Sequence, residues 1–339
     1  MKTKLLAIVV LAVFVFIHKV VAQDIAVVTL QHGETMTAFY GTGAFREAVE
    51  AAEAGDLITL SGNTFEATTI TKPLVIQGAG YVQDINNFRY KTTISGHLKI
   101  QIPGGGAGLL LEGIRSDGAV VIFGDSLNDF TFRKCEFNNL ALLTVNSGCI
   151  VEQCRINEEF SINAPTTNLY MTNSIVSKLC GEGGSNTNII NHCVITSQVN
   201  NNVVANFYNS LINNPSGASS CNYYNNVMNV NGCYSTFKST NNNNNNTIFE
   251  FNISSSLGTS WVHDEYRALF IDGKSNYDYR LTEEAAATYL GNDSTQVGIY
   301  GGEMPFTDVP TNPQITFKNI SACSNANGKI SVRVTVEAQ

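Results

Sequence analysis

One short phrase recurs six times between residues 130 and 228, and it constrains the fold more than any other feature of the chain. Each copy reads apolar, polar, polar, small, variable, apolar. The copies are Phe132–Phe137, Val151–Ile156, Met171–Val176, Ile190–Ile195, Phe207–Ile212 and Tyr223–Met228. Their small residues are spaced by 19, 20, 19, 17 and 16 positions. A drifting period near 20 predicts a solenoid, in which no repeat can bury its apolar side alone.

The phrase also predicts the register of each coil, counted from the small residue as position 0. Positions −3 and +2 are apolar in every copy, so they should form two inward stacks whose burial drives coil stacking. Position −1 is the predicted turn, because asparagine, which recurs there, tolerates left-handed backbone angles. The residues at position −1 are Lys134, Gln153, Asn173, His192, Asn209 and Asn225. The residues at position −2, predicted to face outward, are Arg133, Glu152, Thr172, Asn191, Tyr208 and Tyr224.

Three cysteines, Cys135, Cys154 and Cys193, occupy position 0. Eight cysteines in an exported chain would ordinarily suggest disulfides, but these three are predicted to be inward, unbridged thiols that fill a narrow turn. Cys135 and Cys154 are the one pair whose coil spacing permits a bridge. His192 is the only histidine in these coils, so no metal site is predicted, and no cofactor is predicted either.

The first 22 residues have the pattern of a signal peptide. Lys2 and Lys4 precede the apolar run Leu5–Ile17, and small residues precede a predicted cleavage after Ala22. No cysteine lies near that site, so a lipid anchor is not predicted. No later stretch is long and apolar enough to span a membrane. The mature chain is therefore predicted to be secreted, periplasmic or on the cell surface.

The charge of the mature chain argues against nucleic acid and anionic membrane as partners. The sequence has 20 basic and 28 acidic residues. Removing the three lysines of the signal peptide leaves 17 − 28 = −11. An excess of acids repels phosphate groups of either kind.

Both ends of the chain resemble known β-helix proteins. Residues 45–81 (FREAVEAAEAGDLITLSGNTFEATTITKPLVIQGAGY) resemble the N-terminal cap and first coil of the pectate-lyase-like superfamily. Within them Phe45, Ala48, Val49 and Ala52 share one helix face, and Gly55 ends the helix. Residues 277–306 (YDYRLTEEAAATYLGNDSTQVGIYGGEMPF) resemble the closing coil of secreted bacterial β-helix proteins.

The resemblance implies an all-β fold, a right-handed single-stranded parallel β-helix with an N-terminal capping helix. Residues 23–306 would form the capped β-helix, and residues 307–339 a linker and a short strand tail. The superfamily contains lyases, hydrolases and adhesins, so the resemblance indicates the fold and leaves the activity open.

The charged coils offer one possible enzyme site. Arg133 with Glu152, and Glu136 with Arg155, are predicted cross-strand pairs worth a few tenths of a kcal/mol each. A polysaccharide lyase or glycoside hydrolase could find its acids and its arginine only in this neighbourhood of residues 125–159. That neighbourhood comprises Asp125, Asp129, Arg133, Glu152, Glu158 and Glu159. We favour the structural interpretation of these charges and assign no catalytic set.

The later coils offer a binding site. Tyr208 and Tyr224 are predicted to stack outward on adjacent coils, ~4.8 Å apart. The amides of Asn191, Asn209 and Asn225 should lie beside them, and aromatic rings bordered by amides suit an uncharged sugar. The main hypothesis is an exported protein that binds or helps to process extracellular polysaccharide or cell-surface glycan. The alternatives are an enzyme at the charged coils, or a structural or adhesive surface protein in which the tyrosines only stabilise neighbouring coils.

Overall fold

The structure is a computed structural model, and it describes residues 25–84, 90–182, 184–200, 202–213, 221–229, 248–250, 269–271, 278–321, 323–325 and 327–337. The Asn-rich run of residues 241–246 and Cys233 lie outside these ranges. No helix in the described ranges is long and apolar enough to cross a membrane.

The chain forms a parallel β-solenoid of about 8 turns, with very little helix. The first strands are β1 (Val27–His32), β2 (Thr35–Tyr40), β3 (Leu57–Leu60), β4 (Thr64–Glu66), β5 (Thr69–Ile70), β6 (Val75–Gln77), β7 (Thr93–Ser95), β8 (Leu98–Ile100), β9 (Leu110–Glu112), β10 (Arg115–Ile122), β11 (Leu127–Asn128), β12 (Thr131–Arg133), β13 (Glu136–Leu142) and β14 (Asn146–Ser147). The chain continues with β15 (Ile150–Glu152), β16 (Arg155–Ile162), β17 (Thr166–Thr167), β18 (Tyr170–Thr172), β19 (Ile175–Gly181), β20 (Ile189–Asn191), β21 (Val194–Val199), β22 (Asn206–Tyr208), β23 (Leu211–Asn213), β24 (Asn222–Tyr224), β25 (Val227–Asn229), β26 (Ile248–Glu250), β27 (Gln314–Ile320) and β28 (Val332–Glu337).

Successive coils pair to form three sheets along the solenoid. The first sheet has the order β2-β1-β3-β6-β9-β12-β15-β18-β20-β22-β24. The second has the order β26-β25-β23-β21-β19-β16-β13-β10-β7-β4, with β8 beside β10 and β5 beside β8, and the third is β11-β14-β17. Within the coils the pairing is parallel, and only the N-terminal hairpin β1–β2 joins the first sheet in antiparallel fashion.

The predicted turn at position −1 is confirmed in every copy of the phrase. All six residues there have φ between 46° and 54°, in the left-handed region. The turn redirects the chain from the first sheet to the second, as where Lys134 separates β12 from β13. Because a left-handed residue costs less for asparagine than for most side chains, the frequent asparagine at this position has a local cause.

The inward stacks are also confirmed. Every residue at positions −3, 0 and +2 of the six copies is buried, and they contribute to one continuous core. Position 0 is small and polar because it bonds to neighbouring backbone. Ser174 Oγ accepts from the Cys154 backbone N–H at 3.0 Å, and the Cys193 thiol donates to the Asn191 carbonyl at 3.2 Å. Cys135, Cys154 and Cys193 are buried and unbridged, as predicted.

A helix, α1 (Ala44–Ala51), lies near the N-terminal end of the sheets. Its buried face consists of Ala44, Phe45, Ala48 and Val49, and it contacts β1, β2, β3 and β4. The Lys72 ammonium donates to the carbonyls of Glu50 at 3.0 Å and of Ala52 at 2.5 Å. A cation at the C-terminal carbonyls of a helix complements the helix dipole.

The C-terminal part differs from the expected closing coil. A second helix, α2 (Glu283–Thr288), begins at the predicted cap, where Thr282 Oγ1 accepts from the Ala285 backbone N–H at 3.2 Å. Residues 289–306 then run lengthwise along the outside of the coils, and we call this segment the strap. The turn residues of this segment resemble those of a coil. Its backbone carbonyls, however, contact the side chains of Gln153, Asn173 and His192 on three successive coils and do not pair with one neighbouring strand. The two strands of the predicted tail, β27 and β28, pair as an antiparallel hairpin.

Candidate functional site

The predicted tyrosine stack is present on the outer face of the first sheet. The ring centroids of Tyr208 and Tyr224 are 4.7 Å apart, and the ring planes differ by 10°. Each ring therefore covers one face of the other, and both tyrosines are half-buried. Burial, followed by the neighbouring Tyr224, raises the pKa of Tyr208, so its hydroxyl stays a neutral hydrogen-bonding group.

The structure places the three predicted asparagines in different surroundings. Asn191 and Asn225 are half-buried, whereas Asn209 is only 2% exposed because the strap covers it. The Asn209 amide donates to Asn191 Oδ1 at 3.0 Å and to Asn292 Oδ1 at 2.9 Å. Asn209 therefore joins the coil to the strap. Of the three predicted amides, Asn191 is the one at position −2, which is also the position of the two tyrosines.

Sequence reasoning missed the neighbouring ladder at position −4, two residues before the tyrosines. Asn222 Nδ2 donates to Asn206 Oδ1 at 2.9 Å, and Tyr170 is 39% exposed on the same sheet face. The strict in–out alternation of a strand would have identified these positions. The outward positions of β18, β20, β22 and β24 form what we call the neutral face: Tyr170, Thr172, Ile189, Asn191, Asn206, Tyr208, Asn222 and Tyr224. Thr172 is buried, and the other seven are half-buried or exposed. None of them carries a formal charge.

The pair of Arg133 and Glu152 is formed, but it is not the exposed pair that the sequence predicted. Arg133 Nε lies 3.1 Å from Glu152 Oε2, and Glu152 is only 6% exposed. A second buried acid, Glu112, accepts from Gln77 Nε2 at 3.0 Å. In the described part of the chain, the Oε1 atoms of both glutamates have no hydrogen-bond partner. Removing a partner from such a carboxylate costs far more than it does at the surface.

Glu136 and Arg155 are register partners, as predicted. The Glu136 carboxylate, however, also pairs with the guanidinium of Arg115 on the preceding coil, at 3.2 Å. The guanidinium of Arg155 lies 5.9 Å from the ring centroid of Phe306, next to the strap. The charges of these coils thus form an extended network, which agrees with their structural interpretation.

The six residues of the possible enzyme site are spread over different elements. Arg133 and Glu152 lie on the first sheet, whereas Glu158 and Glu159 belong to β16 of the second. Glu158 accepts from Asn139, and Glu159 pairs with the Lys178 ammonium at 3.1 Å. Asp125 accepts from the Gly104 backbone N–H, and Asp129 precedes β12 with a φ of 48°. Within the described ranges, no group of three or more His, Cys, Asp or Glu side chains could hold a metal ion.

A cavity of about 370 Å³ lies where the C-terminal part meets the second sheet. Its lining consists of Arg155, Asp278, Arg280, Tyr300, Phe306, Thr307 and Asp308. Several of these groups already satisfy one another. Arg280 Nε lies 3.4 Å from Asp278 Oδ1, and the Tyr300 hydroxyl donates to the same carboxylate. Burial, together with this carboxylate, raises the pKa of Tyr300 to about 12.

The strap is held by side chains of the position −1 ladder. Gln153 Nε2 donates to the Pro305 carbonyl at 2.6 Å, and Asn173 Nδ2 donates to the Gly301 carbonyl at 2.8 Å. His192 and Asn209 continue these contacts toward the later coils. The residues of the left-handed turn therefore have two roles. Their backbone turns the chain, and their side chains donate hydrogen bonds to the strap.

Beneath the strap lies an apolar stripe at position +1, formed by Ile175, Val194, Leu211 and Val227. All four side chains are buried, together with Val297 and Ile299 of the strap. The sequence interpretation treated this position as variable. Position +1 is charged in the first two copies, as Glu136 and Arg155, and apolar in the last four. That change indicated that another segment covers the last four coils.

Comparison with known proteins gave no match among family models, curated proteins or solved structures. The class of protein is therefore defined by the fold and surface alone. It is a parallel β-solenoid with an uncharged outer face over its later coils and a C-terminal strap along its side.

Proposed function

We propose that this protein is an exported glycan-binding β-helix whose neutral face binds uncharged saccharide units. The observation that carries the proposal is the absence of formal charge from the eight outward positions of β18, β20, β22 and β24, in a mature chain with a net charge of 17 − 28 = −11. An uncharged surface bearing tyrosines and amides avoids the desolvation of ions when a neutral ligand binds.

The groups on this face match the chemistry of sugar hydroxyls. Asparagine amides both donate and accept, and neutral tyrosine hydroxyls do the same. Equivalent groups recur on successive coils at the strand spacing of about 4.8 Å, so a chain molecule lying along the solenoid would meet a repeated set of partners. The half-buried rings of Tyr208 and Tyr224 add apolar contact area for the C–H groups of a sugar.

The same proposal includes the processing and handedness of the chain. Residues 1–22 would be removed on export, and the remaining coils would wind in the right-handed sense of the pectate-lyase-like superfamily. The helix α1 would close the N-terminal end, which agrees with the burial of Phe45 and Val49 against the first coils. A closed end protects both the core and the strand edge of a solenoid.

An enzyme at the charged coils is the weaker alternative, because its acids and its arginine are divided between sheets and no group of three acids comes together within the described residues. A structural or adhesive surface protein remains the other alternative. It differs from the proposal in one respect, because it does not require saturable binding of soluble oligosaccharides.

Calorimetry with neutral and acidic oligosaccharides tests the proposal on the mature chain and on the double variant Tyr208→Ala/Tyr224→Ala. We expect saturable binding of a neutral oligosaccharide and a loss of at least about tenfold in affinity, about 1.4 kcal/mol, in the double variant. Tyr40→Ala is the matched control, because Tyr40 is an exposed tyrosine on the N-terminal hairpin. Binding that survives the double substitution, or that is confined to acidic sugars, would exclude the neutral face as the site.

A further inference from the structure

His192 is the most deeply buried link between the coils and the strap. Its side chain is only 1% exposed, and it occupies the left-handed turn between β20 and β21. Two glycines of the strap allow this close approach. A Cβ atom on Gly301 would lie 2.6 Å from His192 Nδ1, and one on Gly302 would lie 3.0 Å from its Cδ2. The strap is therefore shaped to receive an imidazole ring.

Both ring nitrogens of His192 face hydrogen-bond acceptors. Nε2 lies 2.7 Å from Asp293 Oδ2, and Nδ1 lies 3.2 Å from the Gly298 carbonyl oxygen. A neutral imidazole has only one N–H, so it could donate to only one of them. The imidazolium, with two N–H groups, is the form that satisfies both acceptors.

Asp293 is the charged group that contacts this ring. From the strap the ring also contacts Gly298, Gly301 and Gly302. From the next coil, Asn209 Nδ2 lies 3.4 Å from His192 Nε2, a longer approach than that of Asp293, and none of these four groups titrates. On its own turn the neighbours in sequence are Asn191 and Cys193, and the Cys193 thiol donates to a backbone carbonyl. Burial of the Asp293 carboxyl opposes its ionisation, but hydrogen bonds from Thr295 and His192 outweigh burial and lower the pKa of Asp293.

We propose that His192 and Asp293 form a proton-dependent latch, which holds the strap over the apolar stripe while the imidazole is charged and loosens it when either partner is neutral. Neutralising the imidazole leaves one ring nitrogen without a proton, facing an acceptor at close range. The imidazole end of the pair is buried, whereas the Asp293 side chain is 35% exposed. Loss of the imidazolium charge therefore removes the ion pair and leaves a buried ring nitrogen without a matching proton. The latch does not depend on glycan binding, because it uses neither of the stacked tyrosines. Its contact with the neutral face is Asn209, which touches the His192 ring and donates to Asn191 Oδ1.

The pH dependence has two limits. Because the pKa of Asp293 is lowered in the folded state, its contribution is complete above the carboxyl's unfolded pKa and is lost as pH falls through the folded pKa. Loss of a ring proton acts in the opposite direction, because the neutral imidazole keeps only one N–H for its two acceptors. The strap should therefore be most tightly closed between these limits, and at either limit the side chains of Ile175, Val194 and Leu211 should become accessible locally, without unfolding of the coils.

Hydrogen exchange and ring-nitrogen NMR on the mature protein test the latch. The reporter is the Gly298 amide, which donates to the Asn209 carbonyl at 2.7 Å and closes the strap. The reference is the Val194 amide, which donates to the Ser174 carbonyl between coils. We expect both His192 ring nitrogens to carry protons where the strap is closed. Once the imidazole is neutral, the protection factor of the Gly298 amide should fall by about tenfold or more relative to that of the Val194 amide. We call this fall the alkaline step.

Variants separate the latch from general stability. Asp293→Asn keeps the side-chain size and removes the charge, so Gly298 should be less protected wherever the strap of the parent protein is closed, with the alkaline step reduced or absent. His192→Asn keeps a residue suited to the left-handed turn and should abolish the step. Lys178→Gln breaks an ion pair of the second sheet away from the strap and should leave the step unchanged.

Three results would overturn the proposal. The first is a neutral imidazole in the NMR spectrum at a pH where the strap is protected. The second is a Gly298 protection factor that follows Val194 at every pH. The third is an alkaline step of unchanged size in Asp293→Asn, a variant whose near-isosteric side chain leaves the fold intact even if His192→Asn does not.

Discussion

Leu211 of the solenoid packs directly against Gly298 of the strap. A Cβ atom on Gly298 would lie 2.8 Å from Leu211 Cδ1, and the φ of 81° at Gly298 also favours glycine there. Leu211 is fully buried although its position faces away from the core of the coils. The strap is thus a second packing layer, and its contribution to stability can be measured at this contact.

Leu211→Ala should lower the free energy of unfolding by about 2–5 kcal/mol, because it removes a buried side chain and leaves a cavity beneath the strap. Ile150→Ala is the control, since Ile150 is an aliphatic residue on the uncovered outer face and is 36% exposed. Its effect should stay within about 0.5 kcal/mol. Urea unfolding of both variants measures the difference, and equal small losses would mean that the strap does not pack on Leu211.

Arg133→Met should cost about 3 kcal/mol, because it leaves the Glu152 carboxylate buried without its guanidinium partner. Glu152→Gln should cost about 1 kcal/mol, since the amide oxygen still accepts from Arg133. The control is Lys178→Met, which breaks the more exposed pair with Glu159 and should cost no more than about 1 kcal/mol. Unfolding curves that rank Lys178→Met above Arg133→Met would contradict the buried character of the Arg133–Glu152 pair.

At position 173 the glycine variant should be more stable than the alanine variant, which reverses the usual order of these two residues. Asn173 has a φ of 46°, so glycine there should be about 1 kcal/mol more stable than alanine. Both variants lose the two amide bonds to the strap, and the comparison therefore isolates the backbone conformation. The same two substitutions at Asn157, on the strand β16, should show alanine as the more stable variant. Thermal denaturation of the four variants gives the two differences.

The buried thiols should resist labelling in the folded protein. Burial raises the pKa of Cys193 to about 12, and Cys135, Cys149 and Cys154 are buried beside it in the core. At pH 8 an alkylating reagent should therefore label these four cysteines only after denaturation, without prior reduction. Cys323 is exposed and serves as the internal positive control. Mass spectrometry of the peptides provides the measurement, and a disulfide-linked Cys135–Cys154 peptide would contradict the prediction.

The sequence predicted the coils because their rules are local and repeat. A residue such as Asn173 adopts its left-handed conformation through its own backbone, and Met171 turns inward by the alternation of a strand. The same reasoning misplaced Asn209, since alternation does not continue through a left-handed turn, and the side chain there points toward the strap. The burial of Glu152 was missed for a related reason, because exposure depends on neighbouring elements that a single coil does not specify.

The strap was not predicted because its partners are far away in sequence. Residues 277–306 contain the turns and apolar residues of a coil, and no local feature distinguishes a coil from a segment that lies along several coils. The apolar residues at position +1 in the last four coils were the available indication. Only the combination of that stripe with the apolar Val297 and Ile299 would have suggested a cover.

The lengthwise course of the strap has a consequence for the order in which this chain folds. Coils stack on their immediate neighbours, so the solenoid can grow through contacts about 20 residues apart. The C-terminal segment, in contrast, reaches back as far as the bond from Asn312 Nδ2 to the Gly78 carbonyl, across 234 residues of sequence. Contacts of such separation form late, because the loop must be closed before they stabilise anything. While the chain is being made N-terminus first, Val194 and Leu211 therefore stay uncovered until almost the whole sequence has emerged, and the protein passes through an assembled solenoid with an uncovered apolar stripe before its last segment docks.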